Sequence, residues 1–225
     1  MTEYTLKRSR RKTVGIYINE SGAVEVRAPL YTSKRDIDAF VERQSEWIKK
    51  HSSIRKNECE QRKNFTVDAD YKPKILGKNY PIVLSDEKRI SFDGERVTVY
   101  SGLDSDGLRL SLVNLYKSTA KRYIVPRTLH FASSMGVEPS DIKINSAKKR
   151  WGSCSGKNSL NFSWRLILAD GDAVDYVIVH ELCHIKHHDH SPEFWKEVEK
   201  VLPDYKRREK LLKTLQAELE KQNWD

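Results

Sequence analysis

The sequence predicts an α+β fold, and three observations carry that expectation. Short stretches of alternating apolar and polar residues dominate the first half, helical periodicity dominates the second, and an apolar helix near the end holds His180-Glu181-Leu182-Cys183-His184. The organisation expected is a small β-rich domain with one helix over 1–105, then a domain of long helices and a small sheet over 106–225. The turn residues Asp104-Ser105-Asp106-Gly107 mark the boundary between them.

In the first half, Thr13–Asn19 alternates as a half-buried strand does, Glu20-Ser21-Gly22 turns, and Val24–Arg27 runs back. Pro29 ends this hairpin. Ser33 is a suitable N-cap for a helix with apolar positions Ile37, Phe40, Val41, Trp47 and Ile48, which should reach about Arg55 before a polar connector at 56–63. Tyr80–Leu84, Arg89–Phe92 and Arg96–Tyr100 then read as strands separated by turn chemistry, including Asp93-Gly94.

From Leu110 a helical pattern runs through Leu112, Leu115, Tyr116, Ala120, Tyr123 and Ile124, and Gly136 closes it. Pro126 should kink that helix or divide it, because proline removes a backbone donor and clashes with the preceding turn. Asp141–Asn145 and Ser159–Trp164 read as strands. Gly171 or Asp172 precedes the His-Glu helix, whose stripe Val174, Val177, Ile178, Leu182 and Ile185 makes it largely buried.

The chain carries a formal charge of +9, which invites a nucleic-acid partner. Split at residue 105, the excess is even: 21 Lys+Arg against 16 Asp+Glu, then 20 against 16. Three clusters remain, at Lys7–Lys12, Lys148–Arg150 and Lys206–Arg208, and a solvated face is the default for each. Cys59, Cys154 and Cys183 have no metal-ligand spacing and read as thiols in a reducing compartment. With no run resembling a signal peptide or a membrane helix, the expected location is the cytoplasm.

Five of the seven histidines fall between 180 and 190. Residues four apart share a helix face, so His180 and His184 can meet one metal ion with Glu181 beside it; zinc is the usual metal of this motif. A catalytic zinc takes three protein ligands. His187 is a poor third, because three successive turns of a straight helix stretch about 10 Å and cannot converge on a tetrahedral ion. Asp189 and Ser191-Pro192-Glu193 read as a helix stop and a new N-cap, so the chain can turn and aim His190 back at the ion. His187 and His188 are then exposed, and Cys183 and Cys154 structural.

Helix, strands and then a His-Glu helix is the order of a zincin peptidase domain. The sequence also resembles the YgjP-like metallopeptidases, relatives of the SprT-like group. The motifs that carry the resemblance are 7–13, Val26-Arg-Ala-Pro29, Arg150-Trp-Gly-Ser-Cys-Ser155, Trp164-Arg-Leu-Ile167, Asp175–His184, His190–Trp195 and Pro203-Asp-Tyr205. It implies a zinc-dependent peptidase in which His180, His184 and His190 bind metal and Glu181 is the catalytic base. It is not a metzincin pattern, because His187 stands where that pattern has glycine and no methionine turn comes after it.

Hydrolysis of a peptide or protein substrate also needs a donor for the oxyanion, for which Arg165, Tyr205 and Tyr176 are candidates. Asp175, Asp189, Glu193 or Asp204 could hold the second nitrogen of a ligand histidine. Two other readings stay open at this point. One is a SprT-like protease acting on DNA or DNA-bound proteins, with Lys148-Lys149-Arg150 as the contact. The other is a non-catalytic module stabilised by zinc.

Overall fold

The computed structural model describes residues 2–224, which form two compact units: 2–65 with 219–223, and 66–218 with 224. In the first unit, strands β1 (Thr5–Ser9), β2 (Gly15–Ile18) and β3 (Val24–Pro29) form a sheet of order β1-β3-β2. β1 runs parallel to β3, with Leu6 opposite Val26, and β2 runs antiparallel, with Ile16 also opposite Val26. The inward residues Val24, Val26 and Ala28 pack on Ile37, Val41 and Ile48 of helices α1 (Lys34–Arg43) and α2 (Ser45–Lys63). Gly22 closes the β2–β3 turn at φ +79°, and a Cβ there would lie 2.8 Å from the Ser52 carbonyl, so only glycine fits against α2.

The helix expected as one piece from Ser33 is two. Ser33 caps α1 through its side chain, which accepts from the Asp36 N–H, and the chain breaks at Gln44 before α2 continues to Lys63. Residues 56–63 are therefore helix, not connector. They lack an apolar stripe, but Lys, Glu, Gln and Arg are good helix formers, and Arg62 donates to the Glu220 carbonyl at 3.0 and 3.2 Å.

The second unit opens with short strands: β4 (Lys74–Ile75), β5 (Lys78–Asn79), β6 (Ile82–Ser85), β7 (Ser91–Phe92) and β8 (Val97–Tyr100). They belong with the C-terminal half of the chain, because the Leu76 N–H donates to the Ile167 carbonyl (2.7 Å) and Ser105 Oγ to the Val67 carbonyl (2.9 Å). The compact units thus part at 65/66, whereas the sequence places a boundary at 104–107; Asp104 is instead the N-cap of α3 (Ser105–Met135), accepting from the Gly107 N–H. The N-terminal unit consequently carries two helices and only three strands among the described residues.

α3 runs unbroken through Pro126, which sits on the exposed side while Ile124 and Thr128 are buried on the other. Gly136 ends it in the left-handed region at φ +62°. Strands β9 (Asp141–Asn145), β10 (Gly152–Cys154) and β11 (Ser159–Ser163) come next, in the order β10-β11-β9, which leaves β10 at an edge. A 3-10 turn at Trp164–Leu168 leads to α4 (Gly171–Lys186), α5 (Pro192–Val201) and α6 (Tyr205–Leu219). Trp164 stacks on Tyr116 at 5.6 Å, and Trp224 meets both rings edge-on. The α+β class is as expected, and no helix among the described residues is long and apolar enough to cross a membrane.

Candidate metal centre

α4 positions the site. Its N-cap is Asp170, one or two residues before the positions read from the sequence, with a side chain accepting from the Asp172 N–H at 2.9 Å. Ala173, Val174, Val177, Ile178, Val179 and Leu182 are buried along it and fix its rotation. The carboxylate of Asp175, also buried, is held by the Arg127 guanidinium of α3. At His187 the backbone leaves the helix (φ −129°, ψ 103°), the Ser191 N–H donates to Asp189, and Pro192 opens α5. This reversal returns His190 to α4.

His180, His184 and His190 each offer a ring nitrogen, and the three atoms lie within 4.8 Å of one another. The Nε2 atoms of His180 and His190 are 3.2 Å apart. Two ligands of a tetrahedral zinc with bonds of about 2.0–2.1 Å stand about 3.3 Å apart, so this pair has the spacing of co-ligands. Burial and the neighbouring imidazoles push His180 down to about 3, and burial lowers His184 as well, which leaves both rings neutral with a lone pair to give. The donor set therefore fits a divalent metal. Phe194, fully buried, is the floor beneath all three rings, with its centroid 5.0, 4.6 and 4.9 Å from those of His180, His184 and His190.

His184 Nδ1 is 2.9 Å from the His187 carbonyl oxygen, and donating to it leaves Nε2 free to ligate. None of the four carboxylates considered from the sequence does this. Asp175 is paired with Arg127, Asp189 accepts from Ser191, Asp204 accepts from Arg207 and Arg208, and Glu193 stands exposed. His180 Nδ1 is buried with no hydrogen-bond partner among the described residues.

Glu181 is 6% exposed and lies against the edge strand β10. Burial pushes its carboxyl up to about 7, opposed by the Arg150 guanidinium and by the Cys154 N–H that it accepts. Gly152 makes this possible, since a Cβ there would lie 2.6 Å from both Cγ and Oε1 of Glu181. A glycine within a strand is the sequence signal for such an approach. Gly152→Ala should displace the carboxylate and lower kcat/KM on a peptide substrate by about 10²-fold, the usual cost of an ångström of misplacement, with metal content unchanged.

Of the oxyanion candidates, Tyr176 stands beside a ligand histidine, Tyr205 lies one ring further out, and Arg165 makes contacts elsewhere. Tyr176 lies 5.8 Å from the His180 ring and stacks on Tyr205 at 6.4 Å; Tyr205 stacks on Trp195 at 5.4 Å, and Trp195 on His190 at 5.7 Å. Burial pushes the Tyr176 hydroxyl up to about 12, so it keeps its proton. Arg165 is buried over Trp164 and donates to the Ser146 carbonyl. Cys183 is buried with its thiol pushed up to about 12, whereas Cys154, read as structural, stands beside Glu181. His188 is exposed and His187 half-buried.

Three convergent imidazoles beside a buried carboxylate make up the equipment of a metal-dependent hydrolase. Residues 12–215 match the model of the YgjP-like, metallopeptidase domain, and the chain belongs to that family. Among solved structures it is similar to the metallopeptidase zymogen abylysin of Pyrococcus abyssi, at 24% identity and TM-score 0.38 over 44% of this chain and 97% of that one. It is also similar to the zymogen jannalysin of Methanocaldococcus jannaschii, at 26% identity and TM-score 0.36 over 41% and 94%. A comparison with curated proteins finds no match.

Proposed function

We propose that the chain is a zinc-dependent peptidase of the cytoplasm, in which His180, His184 and His190 hold the ion and Glu181 is the general base. The observation that carries this reading is the meeting of three ring nitrogens within 4.8 Å beside a carboxyl raised to about 7. When bound, zinc would lower the pKa of a coordinated water and polarise the substrate carbonyl. Glu181 takes a proton from the attacking water and gives it to the leaving amine, a task suited to a group that titrates near the operating pH. Gly152 and the Cys154 N–H hold that carboxylate in place, Phe194 holds the imidazoles, and the Tyr176 and Tyr205 hydroxyls are the candidate donors for the developing oxyanion. The three unpaired cysteines suit a reducing compartment.

The test is metal analysis of the purified protein beside a casein cleavage assay with and without chelator. Zinc bound at one equivalent, with cleavage abolished by chelator and recovered on adding zinc, is the expected result. Cleavage undiminished by complete metal removal would overturn the reading, and zinc bound without any cleavage would favour the non-catalytic module.

A further inference from the structure

The contact-defined units change how the charge is distributed. The first unit carries 16 Lys+Arg against 10 Asp+Glu, net +6, whereas the larger second unit carries 25 against 22, net +3. The even split seen at residue 105 arose because 66–105 has one more acid than base and offsets the excess before it.

Within the first unit the excess has a definite place. One face of the sheet is covered by α1 and α2, and the other presents Lys7, Arg27, Tyr17 and Glu25 to solvent. Lys7 and Gly15 both lie opposite Arg27 across the three strands, and Tyr17 lies opposite Glu25. The Arg27 guanidinium sits 4.3 Å from the Tyr17 ring centre and the Arg11 guanidinium 5.8 Å from it. Arg11 can lie down there because residue 15 is glycine; a Cβ would come within 3.0 Å of its Nη2. Glu25 pairs with Lys7 and Arg27 and holds both in register, while neutralising only one charge. Arg10 and Lys12, exposed in the β1–β2 loop, have no ion-pair partner among the described residues. Arg8 stands apart: it donates to the carbonyls of Pro29, Leu30 and Thr32 and is structural.

We propose that this outward face, with Lys7, Arg10, Arg11, Lys12 and Arg27, is a docking surface for the phosphate backbone of nucleic acid. Five cations spread over two strands and the loop that follows β1 match a dense polyanion, and the Arg11 and Arg27 guanidinium groups are steadied against one aromatic ring. The contact is independent of sequence, since no group here is placed to read a base edge. It also differs from the Lys148–Arg150 cluster considered from the sequence, whose Arg150 charge is near enough to Glu181 to favour its ionised form. The inference does not depend on the metal centre.

The test uses the full chain and a labelled DNA duplex, with affinity measured across a salt series. The parent should bind with a steep loss of affinity as salt rises. Combined Arg10→Ala, Arg11→Ala and Lys12→Ala should weaken binding at least about 10-fold and reduce the log-log salt slope by about 3, one per lost phosphate contact. Peptide cleavage should be unaffected. A control removing three exposed charges from α3 (Lys117→Ala, Lys121→Ala, Arg122→Ala) should leave affinity nearly unchanged. Should the triple variant fail to fold, Arg10→Gln with Lys12→Gln touches only exposed side chains and should reduce the slope by about 2. Equal losses in the loop variant and the α3 control, no binding at about 0.15 M salt, or equal displacement by polyglutamate or anionic vesicles would overturn the proposal.

Discussion

Glu181→Gln should lower kcat/KM by about 10²–10⁴-fold, the usual contribution of a positioned general base, and leave bound zinc unchanged. Glutamine keeps the shape of the side chain and an oxygen for the Cys154 N–H, but cannot take up the water proton. The same variant should be more stable than the parent when both are metal-free. The carboxyl titrates at about 7 in the folded chain against a reference value of 4.5, so the folded state binds more protons between those values. The stability of the parent therefore falls as pH rises through that window, and the cost is complete above about 7. Glutamine escapes it, for a gain on the order of 3 kcal/mol at pH 8 that vanishes below about pH 4.5. Urea midpoints in chelator at the two pH values check this, and a variant that lost stability at pH 8 would contradict the buried-carboxylate account. Loss of activity joined to gain in stability is what a functional site held at a cost should give.

How much of this was legible depends on whether the determinant is a side-chain pattern. α4 was legible because its apolar stripe and His-Glu spacing agree, and the return of His190 because Ser191-Pro192 is a helix-start signal. Of the two outcomes expected at Pro126, a kink or a division, the helix is not divided, since a proline on its solvent side costs less than the packing on its inner face returns. β1 and β10 were not legible: Lys7–Arg10 reads as a charge cluster, and Gly152-Ser-Cys154 has no apolar alternation, so both strands exist by pairing with β3 and β11. The unit boundary was hidden because the strongest turn signal, Asp104–Gly107, is a helix cap inside the second unit. The role of the His187 carbonyl had no signal at all, because a backbone oxygen is the same in every residue.

That carbonyl sets up the second large effect. His184→Ala and His190→Ala should each weaken zinc binding by more than about 10²-fold, beyond the loss typical of an outer-shell partner, and abolish chelator-sensitive cleavage. His187→Ala should retain zinc to within about threefold, since outer-shell geometry is preserved when a backbone acceptor stays in place. The His187 N–H donates to the Cys183 carbonyl at 2.9 Å, and its own carbonyl oxygen lies 2.9 Å from His184 Nδ1; neither contact involves the imidazole. Both anchor the chain reversal that brings His190 back over α4. The three variants differ by one histidine each within a stretch of seven residues, so charge and composition are nearly constant among them. Competition titrations against a zinc indicator would rank them. If His187→Ala lost zinc as completely as His184→Ala, the third ligand would be the wrong histidine.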